Sequence, residues 1–126
     1  MDKVVHFEIP VNDMGRAKRF YKAIFGWELS DVPGMEYTIV KTVATDEKNM
    51  PKEAGAINGG MMKRMAKGET PVIVINVPSI DDYIKKITKA GCKLVVPKQQ
   101  VMDIGLYARV TDTEGNVIGI WEALRK

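Results

Sequence analysis

One cysteine and one histidine are present in this 126-residue chain, and no apolar run approaches the roughly 20 residues that span a bilayer. The longest such runs, Val72-Ile73-Val74-Ile75 and Val117-Ile118-Gly119-Ile120-Trp121, are strand-sized. With Cys92 alone, an intrachain disulfide and any Cys-x-x-Cys metal or redox pair are excluded. Cys92 leads directly into Lys93-Leu94-Val95-Val96, the place of a small apolar residue at a strand start rather than of a nucleophile. The opening Met1-Asp2-Lys3-Val4-Val5 lacks the basic flank and long apolar core of a secretory signal, so a cytoplasmic protein is expected. No strong charge of either sign exists: 19 Lys and Arg oppose 16 Asp and Glu, a net +3. The densest basic cluster, Lys63-Arg64-Met65-Ala66-Lys67, has no interleaved aromatics and reads as a solvated linker. Neither a membrane nor a nucleic acid is expected as a partner.

What is present is a composition 45% hydrophobic and 28% charged, that of a folded globular protein of one cooperative domain. Inside it the same plan occurs twice. Val4 to Val11 and Thr70 to Val77 are β-branched runs of strand length, each followed at once by a helix. The first helix has apolar residues at Met14, Ala17, Phe20, Tyr21, Ile24 and Phe25, with Asn12 or Asp13 as N-cap and Gly26 beyond its end. The second has Ile80, Tyr83, Ile84 and Ile87, with Ser79 and Asp82 spaced as a capping box and Gly91 as its left-handed terminus.

Three short strands follow each helix: around Trp27–Leu29, Glu36–Thr42 and Ala56–Lys63, then around Lys93–Val96, Tyr107–Thr111 and Val117–Ala123. Asp112-Thr113-Glu114-Gly115-Asn116 has the Gly and Asn of a tight hairpin, and Ala44–Gly55 reads as a long surface loop. Pro97 to Gly105 is either a surface loop or a flap hinged at Gly105. The fold class is therefore α+β, a single domain over 1–126 made of two tandem βαβββ units, unit one 1–63 and unit two 70–126, joined by linker 64–69. Each unit has one sheet face covered by its own helix, and the bare faces are expected to curl around a shared cleft suited to a ligand.

His6-Phe7-Glu8-Ile9-Pro10-Val11-Asn12-Asp13, Arg16-Ala17-Lys18-Arg19-Phe20-Tyr21 through Phe25-Gly26-Trp27, and Asp112 through Glu122 together resemble the vicinal oxygen chelate superfamily over nearly the whole chain. That superfamily includes glyoxalase I (lactoylglutathione lyase), bleomycin-resistance proteins and extradiol dioxygenases. The resemblance implies a divalent metal held by three or four His, Glu or Gln side chains, which chelates two neighbouring substrate oxygens. On that pattern the first ligand falls on His6, but the others fall on Asn58, Val72 and Gly119. One imidazole and one amide oxygen are a poor divalent site, so no metal cofactor is expected. The alternative is a reduced site for Zn, Ni, Mn or Fe from His6 and Glu122, with Glu8 as a further donor. It requires a bulge near Gly119, because Glu122 lies an odd number of residues beyond it. An iron triad of two His and one carboxylate cannot be built from one histidine, which argues against extradiol dioxygenase activity.

Period-two alternation puts Phe7, Ile9 and Val11 against the first helix and His6, Glu8 and Pro10 on the bare face. In the second unit Ile73, Ile75 and Val77 are expected against the helix. Ligand-contact candidates are thus His6, Glu8, Asn58, Met62, Asn76, Tyr107, Arg109 and Trp121. Each has a structural alternative: a strand histidine is often only hydrogen-bonded, and Glu8 and Arg109 are as well read as partners of each other. The resulting expectation is a small-molecule binding protein of the bleomycin-resistance type, and the resemblance implies a homodimer, the common state of the superfamily. The alternative is a glyoxalase-like lyase or isomerase acting on an α-oxygenated small molecule, metal-dependent or with His6 as catalytic base.

Overall fold

The computed structural model describes residues 1–124. Its architecture is α+β, with eight strands and two helices in two βαβββ repeats: β1 (Val4–Val11), α1 (Met14–Phe25), β2 (Glu28–Asp31), β3 (Tyr37–Lys41), β4 (Asn58–Lys63), β5 (Val72–Asn76), α2 (Ile80–Lys89), β6 (Leu94–Val101), β7 (Gly105–Thr111) and β8 (Val117–Ala123). Contacts divide the chain at Pro71, close to the expected linker, into one body from His6 to Pro71 and a second from Val72 onward. Met1–Val5 groups with the second body. There the Asn76 amide donates to the Lys3 carbonyl at 2.8 Å, and the Tyr83 hydroxyl donates to the Asp2 carboxylate. No helix among the described residues is long and apolar enough to cross a membrane.

In the first body the strand order is β2-β3-β4-β1, with β1 and β4 parallel and the rest antiparallel. The α1 N-terminus is capped by the Asp13 carboxylate, which accepts from the Arg16 amide at 3.0 Å, and Gly26 ends the helix at φ 71°. Met14, Ala17 and Tyr21 of α1 pack on a core of Val11, Val40 and Met61, joined by Phe7 and Ile9 from β1. The expected helix stripe is wider than the arc that the sheet covers. Phe20, Ile24 and Phe25 are 52%, 62% and 58% exposed, and the Phe20 and Phe25 rings meet each other and Tyr21 on the surface.

The second body repeats the plan with the order β5-β8-β7-β6. Ile80, Tyr83, Ile84 and Ile87 of α2 close a core containing Val77, Ala108, Val110 and Ile120. Because α2 lies on β6, β7 and β8, Ile75 and Val77 are covered while Ile73, expected against the helix, is 48% exposed. The Asp112–Asn116 hairpin closes with the Asp112 amide on the Asn116 carbonyl at 2.9 Å, and Gly115 takes φ 83°. The segment from Pro97 to Gly105 is strand rather than surface loop except for a turn at 102–104. Through Val101 it is strand β6, and Gly105 is buried at the start of β7. A polar run with a proline reads as loop, but an outer strand tolerates Pro97 when its register shifts, as it does between Leu94 and Val96 and between Val96 and Gln99.

Candidate functional site

The strand registers decide which side chains share the face that no helix covers. In the first body His6 pairs with Asn58, Glu8 with Gly60 and Pro10 with Met62, while Tyr37 of β3 pairs with Met62. His6, Glu8, Tyr37, Asn58, Gly60 and Met62 therefore lie on one side, opposite Phe7, Ile9 and Met61. The His6 Nε2 and Tyr37 hydroxyl are hydrogen-bonded at 2.9 Å. Burial holds the His6 imidazole below its ordinary pKa, and the nearby Glu8 charge only partly opposes this, so the ring is neutral at pH 7. Glu8 is itself buried, at 8% exposure. Met62 of β4 is half-buried on the same face.

Asn58 is committed differently from the sequence expectation. Its carbonyl oxygen accepts from the Thr42 and Val43 amides at 2.8 and 3.1 Å, and the Thr42 hydroxyl donates to the Ile57 carbonyl at 2.6 Å. That oxygen ties down the chain leaving β3, an Asn habit in irregular backbone. Register also makes Gly60, rather than Asn58, the counterpart of Gly119: Glu8 pairs with Gly60 as Val74 pairs with Gly119.

In the second body Val74, Asn76, Gly119, Trp121, Tyr107 and Arg109 share the helix-free side. The Arg109 Nε donates to the Tyr107 hydroxyl at 2.8 Å, and its guanidinium carbon lies 5.9 Å from the Tyr107 ring centroid. Trp121 lies across Gly105: a Cβ built there would overlap the indole. Asn76 is exposed, whereas Val72 and Val74 are 4% and 2% exposed. Glu122 faces the other way, with its Oε1 accepting from the Ile80 amide at 2.9 Å at the start of α2. No bulge turns it, since β7 and β8 stay in register from Gly105–Ala123 to Thr111–Val117.

Among the described residues no three His, Cys, Asp or Glu side chains cluster in a way that could hold a metal ion. Two open concavities of about 610 and 740 Å³ lie elsewhere in the first body, around Arg64–Thr70 and beside Lys18, Lys22 and Trp27. Neither includes a predicted site residue. Sequence reasoning missed Tyr37, Gly60 and the seating role of Gly105. The repeat held the signal for the first two, because Tyr107 and Gly119 stand at the corresponding registers.

The sequence model of the bleomycin resistance protein-like N-terminal family matches residues 3–42. A candidate glyoxylase named CFP32, from Mycobacterium tuberculosis and Mycobacterium bovis, is 28% identical over 120 residues, 94% of this chain and 44% of its own length. The chain thus spans less than half the length of these relatives. A glyoxalase/bleomycin resistance protein/dioxygenase superfamily member from Vibrio splendidus superposes with a TM-score of 0.65 at 12% identity, covering 97% of this chain and 99% of that one. The chain is thus similar in sequence and fold to proteins of the vicinal oxygen chelate superfamily. Another solved structure of similar fold is Streptomyces coelicolor methylmalonyl-CoA epimerase in complex with 2-nitronate-propionyl-CoA, with TM-score 0.68, 12% identity and 98% of each chain covered. At such identities the likeness concerns the vicinal oxygen chelate fold alone.

Proposed function

We propose that this chain binds a small, partly apolar molecule, as its likeness to bleomycin-resistance proteins suggests, and does so without a resident divalent metal. The observation that carries this reading is the fate of the would-be ligand positions. The Asn58 carbonyl oxygen is held by two backbone amides, position 72 is a buried valine, Gly119 lies beneath Tyr107, and Glu122 is spent on the α2 N-terminus. Of the ligand positions only His6 retains a strong donor, and one imidazole does not hold a divalent cation against water. What the helix-free faces offer instead is aromatic surface with few hydrogen-bonding groups: Tyr37, His6 and Glu8 in one body, Tyr107, Arg109 and Trp121 in the other. The test is a thermal-shift screen of small α-oxygenated and aromatic compounds, with and without EDTA, on protein purified untagged. Ligand stabilisation that persists in EDTA supports the proposal; a stoichiometric metal required for binding overturns it.

A second reading is favoured by the neutral, half-buried His6. A lyase or isomerase of the glyoxalase or epimerase kind needs a base to take a proton from carbon next to a carbonyl, and a neutral imidazole held by a phenol suits that task. Turnover of a hemithioacetal or another α-oxygenated substrate then disappears in His6→Ala. Turnover unchanged in that variant dismisses His6 as the base.

A further inference from the structure

The two bodies contain one device at the same place. Tyr37 pairs with Met62, two residues past Gly60, and Tyr107 pairs with Trp121, two residues past Gly119. Each tyrosine is therefore the diagonal cross-strand neighbour of a glycine, close enough for its ring to lie across it. A Cβ built at Gly60 would overlap the Tyr37 hydroxyl and ring end. One at Gly119 would lie 2.8 Å from the Tyr107 hydroxyl, 2.9 Å from its ring and 3.1 Å from the Val74 methyl. Neither glycine is needed for backbone conformation, since neither is among the positive-φ residues. Strand-interior glycine is itself unfavourable, so room for the ring is what these positions supply.

We propose that Gly60 and Gly119 are positioning residues, each seating a tyrosine so that its hydroxyl holds a site group of the same body: Tyr37 holds His6, and Tyr107 holds Arg109. The proposal rests on His6 and Arg109 being the ligand-facing groups of the function proposed above. It adds that their orientation is set through a ring and a missing side chain. Aromatic cover of a strand glycine is a known means of filling a sheet surface. Filling alone does not require a hydroxyl, whereas both hydroxyls here are engaged, at 2.9 Å to Nε2 of His6 and 2.8 Å from Nε of Arg109.

His6 is the only histidine, so its ring nitrogens give a single set of resonances in a ¹H–¹⁵N spectrum of the full chain. Tyr37→Phe keeps the ring and deletes the hydroxyl; Gly60→Ala keeps the hydroxyl and evicts the ring. The expected result is that both move the His6 Nε2 resonance away from its wild-type position, and that Gly60→Ala adds no further change in a Tyr37→Ala background. In denaturant, Gly60→Ala lowers the midpoint in wild type and lowers it far less beside Tyr37→Ala, which keeps the test decisive if the single variant folds poorly. The parallel readout is the Arg109 Nε–H resonance, identified by its loss in Arg109→Lys and displaced in Tyr107→Phe and Gly119→Ala. An unmoved His6 signal in Gly60→Ala, or an equal loss of stability with and without the Tyr37 ring, overturns the proposal. Absence of ligand binding with these couplings intact refutes the function and leaves the seating in place.

Discussion

Glu122 separates the two accounts of this fold most sharply, because one makes it a metal ligand and the other a helix cap. Its Oε1 accepts from the Ile80 amide at 2.9 Å, one of the four amides at the start of α2 that have no carbonyl partner within the helix. Ser79 satisfies another, its hydroxyl accepting from the Asp82 amide at 3.2 Å. Glu122→Ala removes an acceptor and a negative charge from the positive end of the helix. A hydrogen bond of this kind contributes about 1 kcal/mol, and a carboxylate at a helix N-terminus about 0.3–1 kcal/mol more. The expected loss is therefore about 1.5–2 kcal/mol in urea denaturation. Glu122→Gln retains the acceptor, so it loses only the charge contribution, about 0.5 kcal/mol. Ser79→Ala costs about 1 kcal/mol, and the double variant departs from additivity because both caps serve one helix turn. Zn or Ni added to wild type and Glu122→Ala produces no difference in stabilisation between them. Unaltered stability in Glu122→Ala, or a metal-induced stabilisation that only wild type shows, refutes the capping argument.

His6 gives stability a pH dependence with a defined sign. Its folded pKa is depressed by burial, so the unfolded chain binds the proton more tightly. The contribution of the neutral ring is fully present above the unfolded value of about 6.5 and is lost as pH falls through the lowered folded value, so stability decreases on acidification below about pH 6.5. A denaturation series should show this slope flattened in His6→Asn; an identical slope in both proteins contradicts it. Asn58→Ala leaves the Thr42 and Val43 amides without their acceptor and should cost about 0.5–1.5 kcal/mol, measured by chemical denaturation, even with no ligand present. A variant as stable as wild type, impaired only in ligand binding, assigns Asn58 to the site after all.

Much of the fold was legible because periodicity is a direct record of packing. The alternation in β1 and the stripe of α2 could satisfy only one arrangement of apolar surface, and the caps at Asp13 and Ser79 marked where each helix begins. Glu122 was legible for the same reason: an odd step from Gly119 put it on the helix side. What alternation cannot give is register between strands. Nothing local says that Tyr37 lies diagonal to Gly60, or that Asn58 bonds two amides a strand away, since those facts follow from how β3 slides along β4. Pro97 misled for a related reason, because its missing N–H matters in a central strand but not in an outer one.

Aligning the repeats through their registers shows where the chemistry was free to change. Positions that face the helices remain mostly apolar in both copies: Ile9 and Ile75, Val11 and Val77, Val40 and Val110, Met61 and Ile120. Positions on the helix-free side differ in kind: His6 against Val72, Glu8 against Val74, Ile39 against Arg109, Met62 against Trp121. Close packing penalises a polar atom or a lost methyl at the first set, whereas the second set meets no helix and answers to a different constraint. Only the tyrosine and its glycine are the same in both copies on that side. The phenol then meets a neutral imidazole in one copy and a charged guanidinium in the other, two partners of different charge on the same frame. A frame kept while its chemistry diverges is what the proposed binding surface requires, because each hydroxyl must stay fixed for the group it holds to be aimed.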